Sequence, residues 1–180
     1  MTPFPLLDGI AETELHAMRL DGESYLLGDA HVPIGFAVTP SMRAVVALGA
    51  RSPRLVAARR TAAWVWGATP SPPDRGEYLV DLDARWRPQP ADGIRVIESV
   101  VRDGDVTRLG RVAVTTPLRT AVDLARFLEE FGDAECGLLA RLALCGGFGP
   151  SEAIDTMERG RNLAGKHRAA ERLRSALSPS

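Results

Sequence analysis

A helix start at residues 114–126, VTTPLRTAVDLAR, constrains the fold of this chain more than any other stretch. Thr116 stands where an N-cap accepts a backbone hydrogen bond, and Pro117 stands at the first helical position, where a missing N–H costs nothing. Leu118, Ala121, Val122, Ala125 and Phe127 or Leu128 then recur at three- and four-residue spacing. Such a stripe must find an apolar partner surface, and each large side chain in it contributes about 1.5 to 3 kcal/mol on burial. From here onward the pattern is helical. The spacing predicts helices over 117–131, 133–145, 150–159 with Ser151 as cap, and 164–177.

Upstream the pattern is mixed. A short helix is expected over 12–19, ending at Asp21-Gly22, followed by a hairpin of 24–27 and 31–36 around Gly28-Asp29. Thr39-Pro40-Ser41 opens a helix that stops at Gly49, and 55–58 forms a short extended segment. Thr61 is the expected cap of a helix over 62–66 ended by Gly67, with Trp64 and Trp66 on different faces. Residues 78–83 and 94–101 read as strands, and 107–109 with 112–114 as a hairpin around Gly110. Strands gathered in the middle with helices at both ends predict an α+β fold, a small mixed β-sheet with flanking helices and a C-terminal helical cluster.

At 180 residues, 45% apolar and 25% charged, the chain can build a compact core. Its apolar runs, such as 44–50 and 137–144, fall far short of the roughly 20 residues a membrane helix needs. The start, MTPFPLLDGIAETE, has neither a basic beginning nor a long apolar stretch, so a cytoplasmic protein with no membrane partner is expected. Cys136 and Cys145 lie on one predicted helix without metal-ligand neighbours and are expected to be buried free thiols.

Charge is unevenly distributed. Residues 1–33 carry Asp8, Glu12, Glu14, Asp21, Glu23 and Asp29 against Arg19 alone, whereas 34–75 carry six arginines against Asp74. The last 22 residues are basic, with Arg159, Arg161, Lys166, Arg168, Arg172 and Arg174 opposed by Glu171.

Several constellations bear on chemistry. Arg119 and Asp123 are four apart and share a helix face; exposed, the pair adds only about 0.3 to 0.5 kcal/mol, but partly buried it braces the helix against the strand ahead. No His, Lys or Cys lies in that stretch to carry a second proton, which argues against catalysis there. Asp81 and Asp83 are two apart on a predicted strand, the spacing of metal-dependent phosphoryl-transfer sites, but no neighbouring lysine or Gly-Ser turn accompanies them, and pairing with Arg85 or Arg87 is favoured. His16, His31 and His167 are scattered and expected at the surface. The CGGFGP stretch at 145–150 follows a helix, so it reads as a helix connection and not as a phosphate loop. Trp64 and Trp66 are expected in the core. No cofactor is implied.

RRTAAWVWGA at 59–68, YLVDLDARWRP and GIRVIESVV as a strand pair, and DGDVTRLGRVAVTTPLRTAVDLAR followed by terminal helices cover about residues 40–175. In that order they resemble the AbiEi family of antitoxins from type IV toxin-antitoxin systems. The resemblance implies an N-terminal winged helix-turn-helix that binds the operator of its own operon, and a following α/β domain associated with neutralising a nucleotidyltransferase-like toxin.

Here only the helix at 12–19 and the ribbon around Gly28 stand for the recognition helix and wing, and both are acidic where phosphate would have to be met. The expected organisation is a truncated winged-helix-like segment over 1–38 and an AbiEi-like α+β domain over 39–180. The expected function is a non-enzymatic antitoxin-like regulator acting through a protein partner, with impaired DNA binding. The alternative is a DNA-binding autorepressor using a residual winged element or an arginine-rich face. Thr61, Thr116, Pro117, Arg119, Thr120 and Asp123 are the expected structural motif. Arg51, Arg54, Arg59, Arg60, Arg168, Arg172 and Arg174 are the candidate contacts for nucleic acid or an acidic partner.

Overall fold

The computed structural model describes residues 6–7, 9–82, 93–158 and 165–178, and over these the fold is α+β. Asp83, Arg85, Trp86, Arg87, Arg159 and Arg161 lie outside the described residues. Helix α1 (Glu12–Leu20) carries Glu12 and Glu14 in its first turn and Arg19 in its last, which suits the helix dipole. Strands β1 (Ser24–Leu27) and β2 (Ala30–Pro33) pair antiparallel, with Leu27 opposite Ala30. The second arm is shorter than the sequence suggested. After Pro33 a single further bond, Ile34 N to Glu23 O at 2.9 Å, precedes Gly35, whose φ of 95° turns the chain away.

Helix α2 (Pro40–Leu48) starts as expected, with Thr39 Oγ1 accepting from Met42 N at 3.2 Å. Strand β3 (Val56–Ala57) leads into α3 (Arg59–Val65), and here the expectation fails. Thr61 is not the cap; Ala58 is, and its carbonyl already accepts from Ala62 N at 3.1 Å. Thr61 is buried inside the helix and its hydroxyl accepts from Glu77 N at 2.7 Å, so the residue serves the neighbouring strand.

The five-stranded sheet comprises β3, β4 (Glu77–Asp81), β5 (Arg95–Ser99), β6 (Val106–Leu109) and β7 (Val112–Thr115), in the order β5-β4-β3-β7-β6. Pairing is antiparallel for β3–β4 and β6–β7 and parallel for β3–β7 and β4–β5. The expected hairpin around Gly110 is therefore β6–β7. Every residue of β7 is buried, as an inner strand covered on both faces requires.

Helix α4 (Pro117–Phe127) begins where its sequence places it but ends four residues early. Arg172 accounts for the stop: it donates to the carbonyls of Ala125 (3.0 Å) and Leu128 (2.8 Å), replacing the bonds a further turn would make. Helices α5 (Asp133–Gly146), α6 (Pro150–Glu158) and α7 (Lys166–Leu177) complete the cluster. Pro150 is the first residue of α6, so Ser151 lies within the helix and not at its cap. The glycine-rich stretch is the α5–α6 connection, with Gly147 left-handed at φ 66°. Both cysteines are free, but only Cys136 is half-buried; Cys145 is exposed, correcting the expectation of two buried thiols.

Two cores result. One joins the hairpin, α2 and the sheet through Leu27, Val32, Leu55, Tyr78, Val80 and Val114. The other fills the helical cluster through Val122, Leu124, Leu139, Leu142, Met157 and Leu173. Helix α3 belongs to both, with Trp64 in the first, Ala63 in the second, and Trp66 packed against each. The N-terminal hairpin is thus continuous with the core of the following domain.

Candidate functional site

The start of α4 holds the densest polar network among the described residues. Thr116 Oγ1 accepts from Arg119 N at 3.3 Å, and its own N–H donates to Asp105 O at 2.9 Å, fixing the helix to the β5–β6 loop. Thr120 donates back to Thr116 O at 2.8 Å and lies 2.7 Å from the Thr115 hydroxyl. Trp66 Nε1 donates to Thr115 O at 2.8 Å, which ties α3 to the same corner.

Arg119 spreads its fork over three acceptors: Nε to Asp123 Oδ2 at 2.8 Å, Nη1 to Asp105, and Nη2 to Ser99 Oγ at 3.1 Å. The residue therefore clamps α4 to the end of β5 and to the loop before β6, and it is largely buried along with Asp123. Arg126 approaches the other oxygen of Asp123 at 3.8 Å. Burial pushes the Asp123 carboxyl above the usual carboxylate range, with Arg119, Arg126 and Arg59 pulling the other way. For Arg119, burial works to lower the guanidinium, but Asp123 and Asp105 outweigh it and leave it raised. Arg126 and Arg59 are both lowered, first by burial.

Arg59 comes to this network from α3. Its guanidinium lies 4.4 Å from the ring centroid of Phe127, and that of Arg126 lies 4.5 Å from the same ring. Glu77 on β4 stands 3.8 Å from both Arg59 and Arg95, and its other oxygen accepts from Arg60 N at 3.1 Å. Arg59, Asp123 and Phe127 are shared walls of two clefts, one of about 600 Å³ and one of about 260 Å³.

The other candidate arginines are dispersed. Arg51 turns back to the carbonyls of Ala47 and Leu48, Arg168 donates to Arg126 O at 3.3 Å, and Arg60 faces Glu135 at 3.5 Å. Arg172 is committed to the α4 carbonyls, while Arg54 and Arg174 are exposed. Of the histidines, His16 and His167 are exposed, and His31 is half-buried with an unpartnered Nδ1. Asp81 ends β4, half-buried, while Asp83 lies outside the described residues, as do its suggested partners Arg85 and Arg87. Among the described residues no group of three or more His, Cys, Asp and Glu side chains is placed to hold a metal ion.

Asp105, Ser99, Glu77 and Arg126 were not singled out from the sequence, and Phe127, expected with Leu128 as alternative in the apolar stripe of α4, is instead 43% exposed. Arg126 lies three residues after Asp123 and so on the same face of α4, but Asp105 and Ser99 meet Arg119 only through the sheet. Fold and site together define an α+β protein organised on a buried arginine–carboxylate cluster. No family model matches the chain, and no curated protein gives a significant match. No helix among the described residues is long and apolar enough to cross a membrane.

Proposed function

We propose that the protein is a non-enzymatic, AbiEi-like antitoxin or regulator of the cytoplasm that acts through a protein partner, a nucleotidyltransferase-like toxin being the chemistry the family resemblance implies. The observation that carries this reading is the surface of the N-terminal segment. Leu20, Leu26, Ile34 and Phe36 are 72%, 49%, 59% and 52% exposed on or beside α1 and the hairpin, and Glu12, Glu14, Asp21, Glu23 and Asp29 around them are exposed as well. Apolar side chains in an acidic setting suit a protein surface of positive charge and repel a phosphate backbone. The buried network supports the same view, because its carboxylates are held by arginines as a fixed scaffold.

Co-expression with a nucleotidyltransferase-like toxin tests it. Rescue of growth by the wild-type chain, lost in Ile34→Ser with Phe36→Ser, is the expected result; absence of rescue and of a co-purifying complex refutes it. The second reading, DNA binding through an arginine face, is favoured by the exposure of Arg54 and Arg174. It requires salt-dependent binding of the upstream promoter that disappears in Arg54→Glu with Arg60→Glu.

A further inference from the structure

Arg59 is built unlike the other arginines of the network. It is 9% exposed, its guanidinium donates no hydrogen bond to any described residue, and its buried Nε has no partner. Its nearest carboxylate oxygen, on Glu77, stands 3.8 Å away, beyond hydrogen-bond reach. Arg119, by contrast, satisfies Asp123, Asp105 and Ser99 at once. Arg59 is also the one non-glycine residue with positive φ among the described residues, at 47°, an unfavourable conformation for a side chain with a Cβ. A buried cation lacking hydrogen bonds weakens a fold, and a methionine of similar length would fill the space without that penalty. Such a residue is explained by an acceptor that arrives from outside.

The clefts on either side decide what that acceptor is. The larger sets the carboxylates of Glu77, Asp123, Glu129, Glu130 and Glu135 against the guanidiniums of Arg59, Arg60, Arg75 and Arg95, so its lining is acidic on balance and disfavours an anion. The smaller is walled by Arg59, Arg102, Arg119 and Arg126, with the Ser99 hydroxyl; its Asp105 and Asp123 are already engaged by Arg119, and Glu98 is exposed. Arg102 is exposed at that cleft, so a second guanidinium is available to the ligand. Two forks are matched by the three or four oxygens of a phosphate better than by the two of a carboxylate. A volume of about 260 Å³ lies just below the range of drug-sized pockets, which starts at roughly 300 Å³.

We propose that Arg59 is the receptor for a phosphate group, entering through the smaller cleft as inorganic phosphate or as the phosphate of a small monoester, with Arg102 as its second contact. The site goes beyond the partner-binding reading and does not depend on it.

Calorimetric titration of the full chain with inorganic phosphate and with glycerol 3-phosphate, at constant ionic strength, tests the site; glutarate serves as the carboxylate comparison. The expected result is saturable one-to-one binding of at least one phosphate probe, and which probe binds identifies the source. Arg59→Lys, which keeps the charge but loses the fork, weakens binding by about tenfold or more. Arg59→Met abolishes it while leaving the thermal midpoint unchanged or higher, and Arg102→Ala weakens it without moving the midpoint. The proposal is overturned by absence of saturable binding of both phosphate probes, by undiminished binding in Arg59→Lys, or by glutarate binding more tightly than either. Should Arg59→Met fail to fold, the Arg59→Lys titration still decides.

Discussion

Replacing Arg119 with methionine removes three hydrogen bonds and leaves Asp123, with a side chain only 4% exposed, facing Arg126 at 3.8 Å as its nearest remaining cation. Removing one partner of a buried ion pair costs about 3 to 5 kcal/mol, because the remaining charge stays desolvated. Arg126 offsets part of that, which places the expected loss near the lower bound, about 3 kcal/mol. With a urea dependence of about 2 kcal/mol per molar, the unfolding midpoint falls by about 1.5 M. Asp123→Asn and the double variant complete a thermodynamic cycle, in which the two substitutions couple by at least about 1 kcal/mol since their side chains touch. The competing view is that this is an ordinary surface pair at i and i+4, worth about 0.3 to 0.5 kcal/mol. A loss below 1 kcal/mol in Arg119→Met, with additive effects in the double variant, refutes the brace.

Thr116→Ala removes the α4 cap and the contact of its hydroxyl with Gly104 O at 3.3 Å, and equilibrium unfolding is expected to show a loss of about 1 kcal/mol. Gly146→Ala sets two effects against each other: alanine is the better helix former by up to about 1 kcal/mol, but its Cβ falls 2.8 Å from Pro117 Cβ and from the Phe148 ring. Overpacking of that kind costs about 1 to 3 kcal/mol, so a net loss is expected, and a stabilised variant contradicts the close approach of α5 to the start of α4. Tyr78 donates to Ala47 O, and burial raises its phenol above the ordinary value, with Arg51 pulling weakly the other way. A raised folded-state pKa means the neutral phenol's contribution is complete below about pH 10 and is lost as pH climbs through the folded value. Urea titrations between pH 8 and 11.5 are expected to show a stability slope that Tyr78→Phe reduces, by at most about 1.4 kcal/mol per pH unit.

What was legible in the sequence was what local chemistry decides. Thr39-Pro40 and Thr116-Pro117 announce helix starts because the cap hydroxyl and the proline act within one turn, and the structure places α2 and α4 there. The order of the sheet was not legible. Its central strand, β3, has two residues, and it pairs antiparallel with β4 and parallel with β7, where Val56 meets Ala113, 57 residues further on. The clamp of Arg119 on Asp105 and Ser99 spans 14 and 20 residues, so no spacing rule could have joined them. The early end of α4 has the same origin: Arg172, 44 residues beyond Leu128, supplies the donors that stop it.

The misplacement of Thr61 follows from the kind of helix α3 is. Seven residues are too few to hold a helix by backbone bonds alone, since nucleation is costly and isolated helices below about 12 residues are marginal in water. Six of its seven residues are buried, so its stability comes from Trp64, Ala62 and Val65 in one core and Ala63 in the other. A helix held in that way needs no side-chain cap, and none is present at Ala58. Its polar residues are thereby released for other partners: Thr61 satisfies the N–H of Glu77, and Arg59 enters with positive φ and an orphaned Nε at the wall of the clefts. The rules of local capping fail where tertiary packing carries the helix, and that is where the chain holds a strained, unsatisfied cation.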